Sequence, residues 1–291
     1  MPLYQTVAIV GPGLIGASIG LALRERGLAA TVLGIGRRQV SLDAALEVGA
    51  IDRASLDVAD GVADADLVIL ATPIRAIPAL MPALAAALRP DAVLTEVASV
   101  KRSVIEMIRE HLPPGRTFIP THPMAGSERS GPRAASADLY EGAVCLFTPF
   151  PDTPEAELQR LRALWQALGA RVLTLSPEDH DQAVAAVSHV PHLVAAALVA
   201  AARDEDLECA GTGFIDFTRI ASGDADLWTD ICRHNARAVV EATARLIETL
   251  VDAVADLVEE DYETFREFLE RARERREALL AARGLIPPET P

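Results

Sequence analysis

The chain has few aromatic residues, no paired cysteines and no surplus of basic charge, and each shortage removes a class of function. Aromatics make up 4% of its 291 residues, so Ala, Leu and Val must supply most of the core volume. Cys145, Cys209 and Cys232 are widely spaced and odd in number, with no CxxC pair. That is the pattern of reduced thiols in a cytoplasmic protein, not of a disulfide scaffold or a structural zinc site. The net charge of −15 argues against nucleic acid as a partner, because phosphate backbones demand an excess of Lys and Arg. A small anion stays open, since it needs only a local basic pocket. No basic leader precedes the short apolar run at residues 7–10, which reads as a strand. The apolar run 190–202 is too short to span a membrane and contains Pro191 and His192. No internal repeat or low-complexity tract is present, and residues 284–291 read as a frayed tail.

What is present is apolar volume arranged in alternating segments. Half the residues are hydrophobic, and the length suits two domains of about 100–200 residues each. Strands are expected at 6–10, 31–35, 67–71, 92–96 and 117–120, with further ones at 144–148 and 171–175. Helices are expected between them, including 14–26, a run up to about 88, 101–111 and 155–168. Strands alternating with helices predict an α/β fold, a doubly wound and mostly parallel sheet. The pattern changes at Ser176-Pro177-Glu178-Asp179, where Ser suits an N-cap, Pro the first helical position and the acids the positive helix end. Beyond it only helices are expected, at 177–204, 214–220, 227–258 and 262–282. The boundary places one domain at 1–176 and an all-helical one at 177–291.

Gly11-Pro12-Gly13-Leu14-Ile15-Gly16 follows the first strand and opens the first helix. In that setting the first glycine makes the turn, the second admits a pyrophosphate and the third lets helix meet strand. The helix N-terminus adds free N–H groups for the phosphates. Thr72-Pro73, at the end of the third strand, belongs to the same cofactor side. An NAD enzyme usually carries Asp or Glu at the end of the second strand to hold the ribose 2′-OH. This chain has Gly34-Ile35-Gly36-Arg37-Arg38 there. Two guanidiniums in place of a carboxylate favour NADP over NAD, unless Arg37 and Arg38 are solvated loop charges. Asp43, the nearest acid downstream, falls inside the next helix.

About 100 residues after the glycine loop comes Thr121-His122-Pro123-Met124-Ala125-Gly126-Ser127. His122 is expected on a tight loop after a parallel strand, where ligands bind in open α/β sheets. Its imidazole suits a base that takes a hydroxyl proton while hydride leaves the same carbon; an isolated loop histidine is as readily structural. Ser99 holds the corresponding place after the preceding strand and reads either as a site residue or as a helix N-cap. Lys101 reads as a surface charge or as a partner for substrate carboxylates. In Ser188-His189-Val190-Pro191-His192 the proline should kink the helix and free the Val187 carbonyl. His189 and His192 share a face, but no third ligand lies nearby, so a polar patch is expected and no metal. Arg219 in Asp216-Phe217-Thr218-Arg219 is a candidate carboxylate clamp or a structural ion pair with Asp216 or Asp224.

Taken together, these segments and His180-Asp181-Gln182, in this order and spacing, resemble the prephenate/arogenate dehydrogenase family of tyrosine biosynthesis over nearly the whole chain. The resemblance implies a Rossmann-type N-domain, an all-helical dimerisation domain giving a homodimer, and oxidative decarboxylation of a small dianionic substrate. It implies that His122 takes the proton of the substrate's C4 hydroxyl and that Ser99 orients His122. Arg219 would bind a carboxylate, His189 and His192 would border nicotinamide and substrate, and Lys101 would support the pocket. His192, often lacking in arogenate-restricted members, favours prephenate over arogenate. With no room for a regulatory domain of about 70 residues, feedback by tyrosine would act at the active site. The segment 227–258 is apolar on most faces and must be covered, which independently predicts a dimer. Rival readings are a β-hydroxyacid dehydrogenase, which relies on a lysine that residues 183–202 lack, and a non-catalytic NADP-binding redox sensor, which needs no His122, Ser99 and Arg219 together.

Overall fold

The computed structural model describes residues 1–127 and 129–285. Its first part alternates strands and helices: β1 (Tyr4–Val10), α1 (Leu14–Glu25), β2 (Ala29–Ile35), α2 (Gln39–Glu47), β3 (Arg53–Ser55), α3 (Val58–Val62), β4 (Leu67–Leu70), α4 (Ile77–Ala87), β5 (Val93–Glu96) and α5 (Arg102–Arg109). Then follow β6 (Thr117–Pro123), β7 (Val144–Phe147), α6 (Glu155–Ala167) and β8 (Arg171–Thr174). Among the described residues these strands form one eight-stranded sheet in the order β3-β2-β1-β4-β5-β6-β7-β8. Every pairing is parallel except β6 with β7. The order reverses beside β1, and the crevice at the strands' carboxyl ends there is where doubly wound sheets bind ligands.

The strands are apolar on both sides because helices cover both faces. Val7 and Ile9 of β1, with Leu67 and Ile69 of β4, join a core with Ile19 of α1 and Trp165 of α6. Their neighbours Ala8, Val10, Val68 and Leu70 point the other way, to Met81 of α4 and Ile108 of α5. The short β3 and α3 were not foreseen. β3 is three residues long with no buried side chain, too little alternation to stand out.

Downstream of the sheet come α7 (Pro177–Val184), α8 (Val190–Ala201), α9 (Asp204–Leu207), α10 (Thr212–Thr218), α11 (Ala225–His234), α12 (Ala236–Val258) and α13 (Tyr262–Ala282). No strand occurs there among the described residues. Ser176 caps α7 as expected, accepting from the Asp179 N–H at 3.0 Å. The expected helix 177–204 ends at Ala201 and widens into a π-helical turn over Ala185–His189. Pro191 has no N–H to return to Val187, and the wider turn accommodates that gap. Through this turn, residues 177–201 make one helical run long and apolar enough to cross a membrane by length and composition, so the shorter run seen in the sequence understated it. Four side chains in the run, His180, Asp181, His189 and His192, are buried polar groups.

The expected helix 227–258 is broken at Asn235, whose backbone leaves the helical region. Its amide donates to the Asp181 carbonyl at 2.8 Å and meets His189 Nδ1 at 3.3 Å. The chain divides into two compact units, residues 1–239 and the helical segment from Val240 onward. In the second, Ile247, Leu250, Val251, Val254 and Leu257 are exposed. Of the expected tail, residues 286–291 lie outside the described residues.

Candidate active site

The glycine loop gives each of its glycines a different steric task. Gly11 has φ +89°, and a Cβ there would fall 2.8 Å from the Ala71 carbonyl oxygen. A Cβ on Gly16 would fall 2.6 Å from the Gly11 oxygen and 2.8 Å from Ile9. Gly13, the N-cap of α1, faces open space. That space belongs to a cleft of about 640 Å³ lined by Gly11, Gly13, Arg37, Arg38, Thr72 and Pro73 among others. Leu14 and Ile15 open α1 and are half-buried, with the Ile15 carbonyl accepting from the Tyr140 hydroxyl at 2.7 Å. Thr72 Oγ1 is buried without a hydrogen-bond partner, a polar atom left for a ligand to satisfy. The cleft therefore fits a dinucleotide. Ser130, Gly131 and Pro132, a few residues beyond the His122 segment, also line it.

His122 is not on a loop. β6 continues past its parallel pairing with β5 and pairs its last three residues antiparallel with β7, His122 opposite Leu146. The ring is buried, 6% exposed. Its Nδ1 lies 2.9 Å from Nε2 of His180 on α7, and His180 Nδ1 lies 2.8 Å from Asp181 Oδ1. Burial pulls the His122 pKa well below the usual imidazole value, with the charges of His180, Lys101 and His189 adding to the effect. Burial also lowers His180, against the opposing hydrogen bond to Asp181. For Asp181 burial works toward neutrality, but hydrogen bonds from His180 and from the Arg102 and Lys101 amides outweigh it and keep the pKa below the usual carboxylate value.

Ser99 follows β5, half-buried, beside the strand that carries His122. It is not an N-cap. The N-cap position of α5 is Lys101, which makes no side-chain cap of its own. The free amides of Lys101 and Arg102 are taken by Asp181 from α7 at 2.8 and 3.0 Å. A carboxylate from a distant segment thus does the capping, which local sequence cannot reveal.

Lys101, the chain's single lysine, corrects both expectations for it. It is neither on the surface nor facing substrate: the side chain is fully buried, and its ammonium donates to Glu96 Oε1 at 2.6 Å and to the Ala98 carbonyl at 2.9 Å. Glu96 Oε2 accepts the Ala98 N–H at 2.8 Å. Burial pushes Glu96 up and Lys101 down, and each partner's charge resists the other's shift. The pair ties the turn carrying Ser99 to the end of β5.

His189 and His192 meet over Trp228 of α11. His192 stacks on the indole at 3.5 Å and His189 stands edge-on at 6.2 Å. His189 Nε2 and His192 Nδ1 are buried without partners. Burial lowers both rings, His189 to about 4. A Cβ on Gly223 would fall 2.5 Å from Trp228 Nε1 and 3.0 Å from His192 Cε1, so that glycine preserves the stack. Arg219 is exposed at the start of a 3-10 turn, Arg219–Ser222, that contacts α8. No group of metal-binding side chains occurs among the described residues. Glu96, His180, Asp181, Trp228 and Asn235 received no role from the sequence; each acts through a contact more than 25 residues away or through a break in periodicity, except the Glu96–Lys101 pair at i, i+5.

Two family models cover the chain: the prephenate dehydrogenase nucleotide-binding domain matches residues 19–174 and the prephenate dehydrogenase dimerization domain residues 176–271. The chain belongs to the prephenate dehydrogenase family. The prephenate dehydrogenase of Bacillus subtilis is 34% identical over 97% of this chain and 78% of its own length. The cyclohexadienyl dehydrogenase of Zymomonas mobilis is 30% identical over 99% of this chain and all of its own. Among solved structures, the prephenate dehydrogenase from A. aeolicus in complex with hydroxyphenyl propionate and NAD+ superposes with a TM-score of 0.87 at 33% identity, covering 94% of this chain and 98% of that one. Like its family, the protein is an oxidoreductase with a Rossmann-type nucleotide domain followed by helices.

Proposed function

We propose that the protein oxidises prephenate to 4-hydroxyphenylpyruvate and CO2, with His122 as base and NADP preferred over NAD. The observation that carries this reading is a buried histidine at the end of β6, backed by a second histidine and a carboxylate, in a sheet whose glycine-lined cleft fits a dinucleotide. The dinucleotide, when bound, supplies the hydride acceptor. His122 takes the proton of the C4 hydroxyl as the C4 hydride leaves. The bond to the ring carboxylate then breaks, its electron pair completes the aromatic ring, CO2 departs, and the C4 oxygen, left as a phenolate, takes its proton back from His122. Aromatisation drives the reaction, so the protein's work is to position and polarise. Ser99, beside His122's strand, orients the hydroxyl. His189 and His192 offer their unpartnered nitrogens to substrate or nicotinamide, and Arg219 holds a carboxylate.

The preference for NADP rests on Arg37 and Arg38, which line the cleft where β2 ends in Gly36 rather than a carboxylate. Asp43 is engaged within its own helix by Gln39 at 2.8 Å. Replacing both arginines with alanine should raise KM for NADP about tenfold or more while leaving NAD nearly unchanged; equal effects on both cofactors would return them to the role of solvated charges. Arogenate, with an amine in place of the side-chain keto group, is the alternative substrate. Residues 1–176 would serve the cofactor and 177–291 the substrate and a homodimer, in the cytoplasm. The dimer reading is supported by the apolar surface from Val240 onward, where Val240, Leu250, Val251 and Val254 are more than half exposed, and by the name of the family model there. His122→Asn should abolish turnover and leave dinucleotide affinity intact; retained turnover would remove His122 from the chemistry.

A further inference from the structure

We propose that Asp181 and His180 form a positioning relay behind His122 that dictates which of its ring nitrogens is bare and draws off the proton it accepts; this rests on the base role given to His122 above. Asp181 already accepts the Lys101 and Arg102 amides. A carboxylate so placed is an acceptor, and the hydrogen in its 2.8 Å contact with His180 must sit on His180 Nδ1. His180 Nε2 is then a bare lone pair. Only a hydrogen on His122 Nδ1 makes the 2.9 Å contact between the rings a bond, since the other tautomer would set two lone pairs face to face. His122 Nε2 is thereby left bare and ready to take a proton. The carboxylate fixes the tautomer two rings away.

The same chain gives the proton somewhere to go. Once Nε2 of His122 has accepted the hydroxyl proton, Nδ1–H can pass its hydrogen to His180 Nε2, while His180 Nδ1–H moves toward Asp181. One proton enters and one is displaced toward the carboxylate, with no change in oxidation state. Asp181 borders a polar pocket of about 200 Å³ with Arg102, Glu178, His234 and Asn235. The pocket is large enough for water and shares no lining residue with the dinucleotide cleft. The displaced proton can be held there and come back by the same chain to the phenolate oxygen left when CO2 departs, since the overall oxidation releases no proton. The position is held from several elements: Ser176 caps α7, Asn235 holds the Asp181 carbonyl, and Lys101 with its partner Glu96 lies beside both. The charged or titratable groups acting on the two rings are Lys101, His189 and Asp181, with Arg102, Glu178 and His234 around the pocket.

Nitrogen NMR of the protein with labelled histidine reads the tautomer directly and needs no turnover. Near neutral pH, His122 and His180 should each be protonated on Nδ1 and bare on Nε2, and Asp181→Asn should mix the tautomers. The opposite tautomer in the native protein would overturn the relay. In steady-state assays, His180→Ala should lower kcat by about 100-fold with dinucleotide Kd and KM within about threefold of native. The acid limb of kcat/KM should shift, because the His122 imidazolium loses the ring it donates to and is also freed from the charge of His180. His180→Gln, whose carbonyl can still accept from His122, should restore part of the rate. A kcat within about threefold of native would refute the relay. So would a loss matched by equal loss of dinucleotide affinity with the acid limb unmoved, which would mark a merely structural role. Failure of the native protein to oxidise prephenate or arogenate would instead strike at the functional reading, with the tautomer still decided by NMR.

Discussion

Lys101→Met should cost the protein stability before it costs any substrate affinity. The ammonium is fully buried, 2.6 Å from an equally buried Glu96. The substitution would strand the carboxylate in the core with the Ala98 N–H as its remaining short contact in the turn. Removing one partner of a buried pair costs about 3–5 kcal/mol. At about 2–4 °C per kcal/mol for a domain of this size, Tm should fall by about 6–20 °C. Thermal denaturation followed by circular dichroism near pH 7 reads the loss. Because burial already pushes the Glu96 pKa up, the loss should shrink as pH falls and the stranded carboxylate protonates. Adding Glu96→Gln should recover most of it, since no buried charge is then left alone. A variant with native Tm but a KM for the dianionic substrate raised about tenfold would refute the reasoning and put the ammonium on the substrate.

Gly16→Ala should weaken dinucleotide binding by about tenfold or more, because its Cβ would sit 2.6 Å from the Gly11 oxygen; fluorescence titration with unchanged affinity would mean the loop yields freely. Acid should destabilise the fold through His189, whose pKa is lowered from 6.5 to about 4. A lowered native value means the stability is complete above the unfolded pKa and is lost as pH falls toward the native one, by about 3 kcal/mol. Urea unfolding near pH 7 and near pH 4.5 should show this, with His189→Gln flattening the difference. Leu250→Glu with Val254→Glu should yield monomers by light scattering at micromolar concentration, whereas an intact dimer would move the interface elsewhere.

The parts of the fold that repeat were legible in the chain. Val7 to Val10, the glycine loop and α1 follow from periodicity and punctuation, and α13 begins and ends where the pattern does. The helix break at Asn235 and the π turn at Ala185–His189 were not, because each answers to a partner or a missing N–H that periodicity does not record. His122 was found as a residue but misplaced as to element, since the antiparallel return of β7 extends β6 by three residues. Lys101 was misread because its partner Glu96 sits at the end of a strand, where a carboxylate looks like a boundary rather than a core residue. His180 and Asp181 stood in the sequence as a marker without a task. Their task exists only once α7 lies against α5 and β6, and one carboxylate must answer for two helix amides and a ring.

The central claim is best tested by the initial rate of NAD(P)H formation with prephenate and arogenate, each crossed with NAD and NADP. The account predicts that prephenate with NADP gives the fastest turnover and that His122→Asn loses it. Turnover with arogenate alone would keep the chemistry and overturn the substrate, and no rate in any of the four would contradict the account.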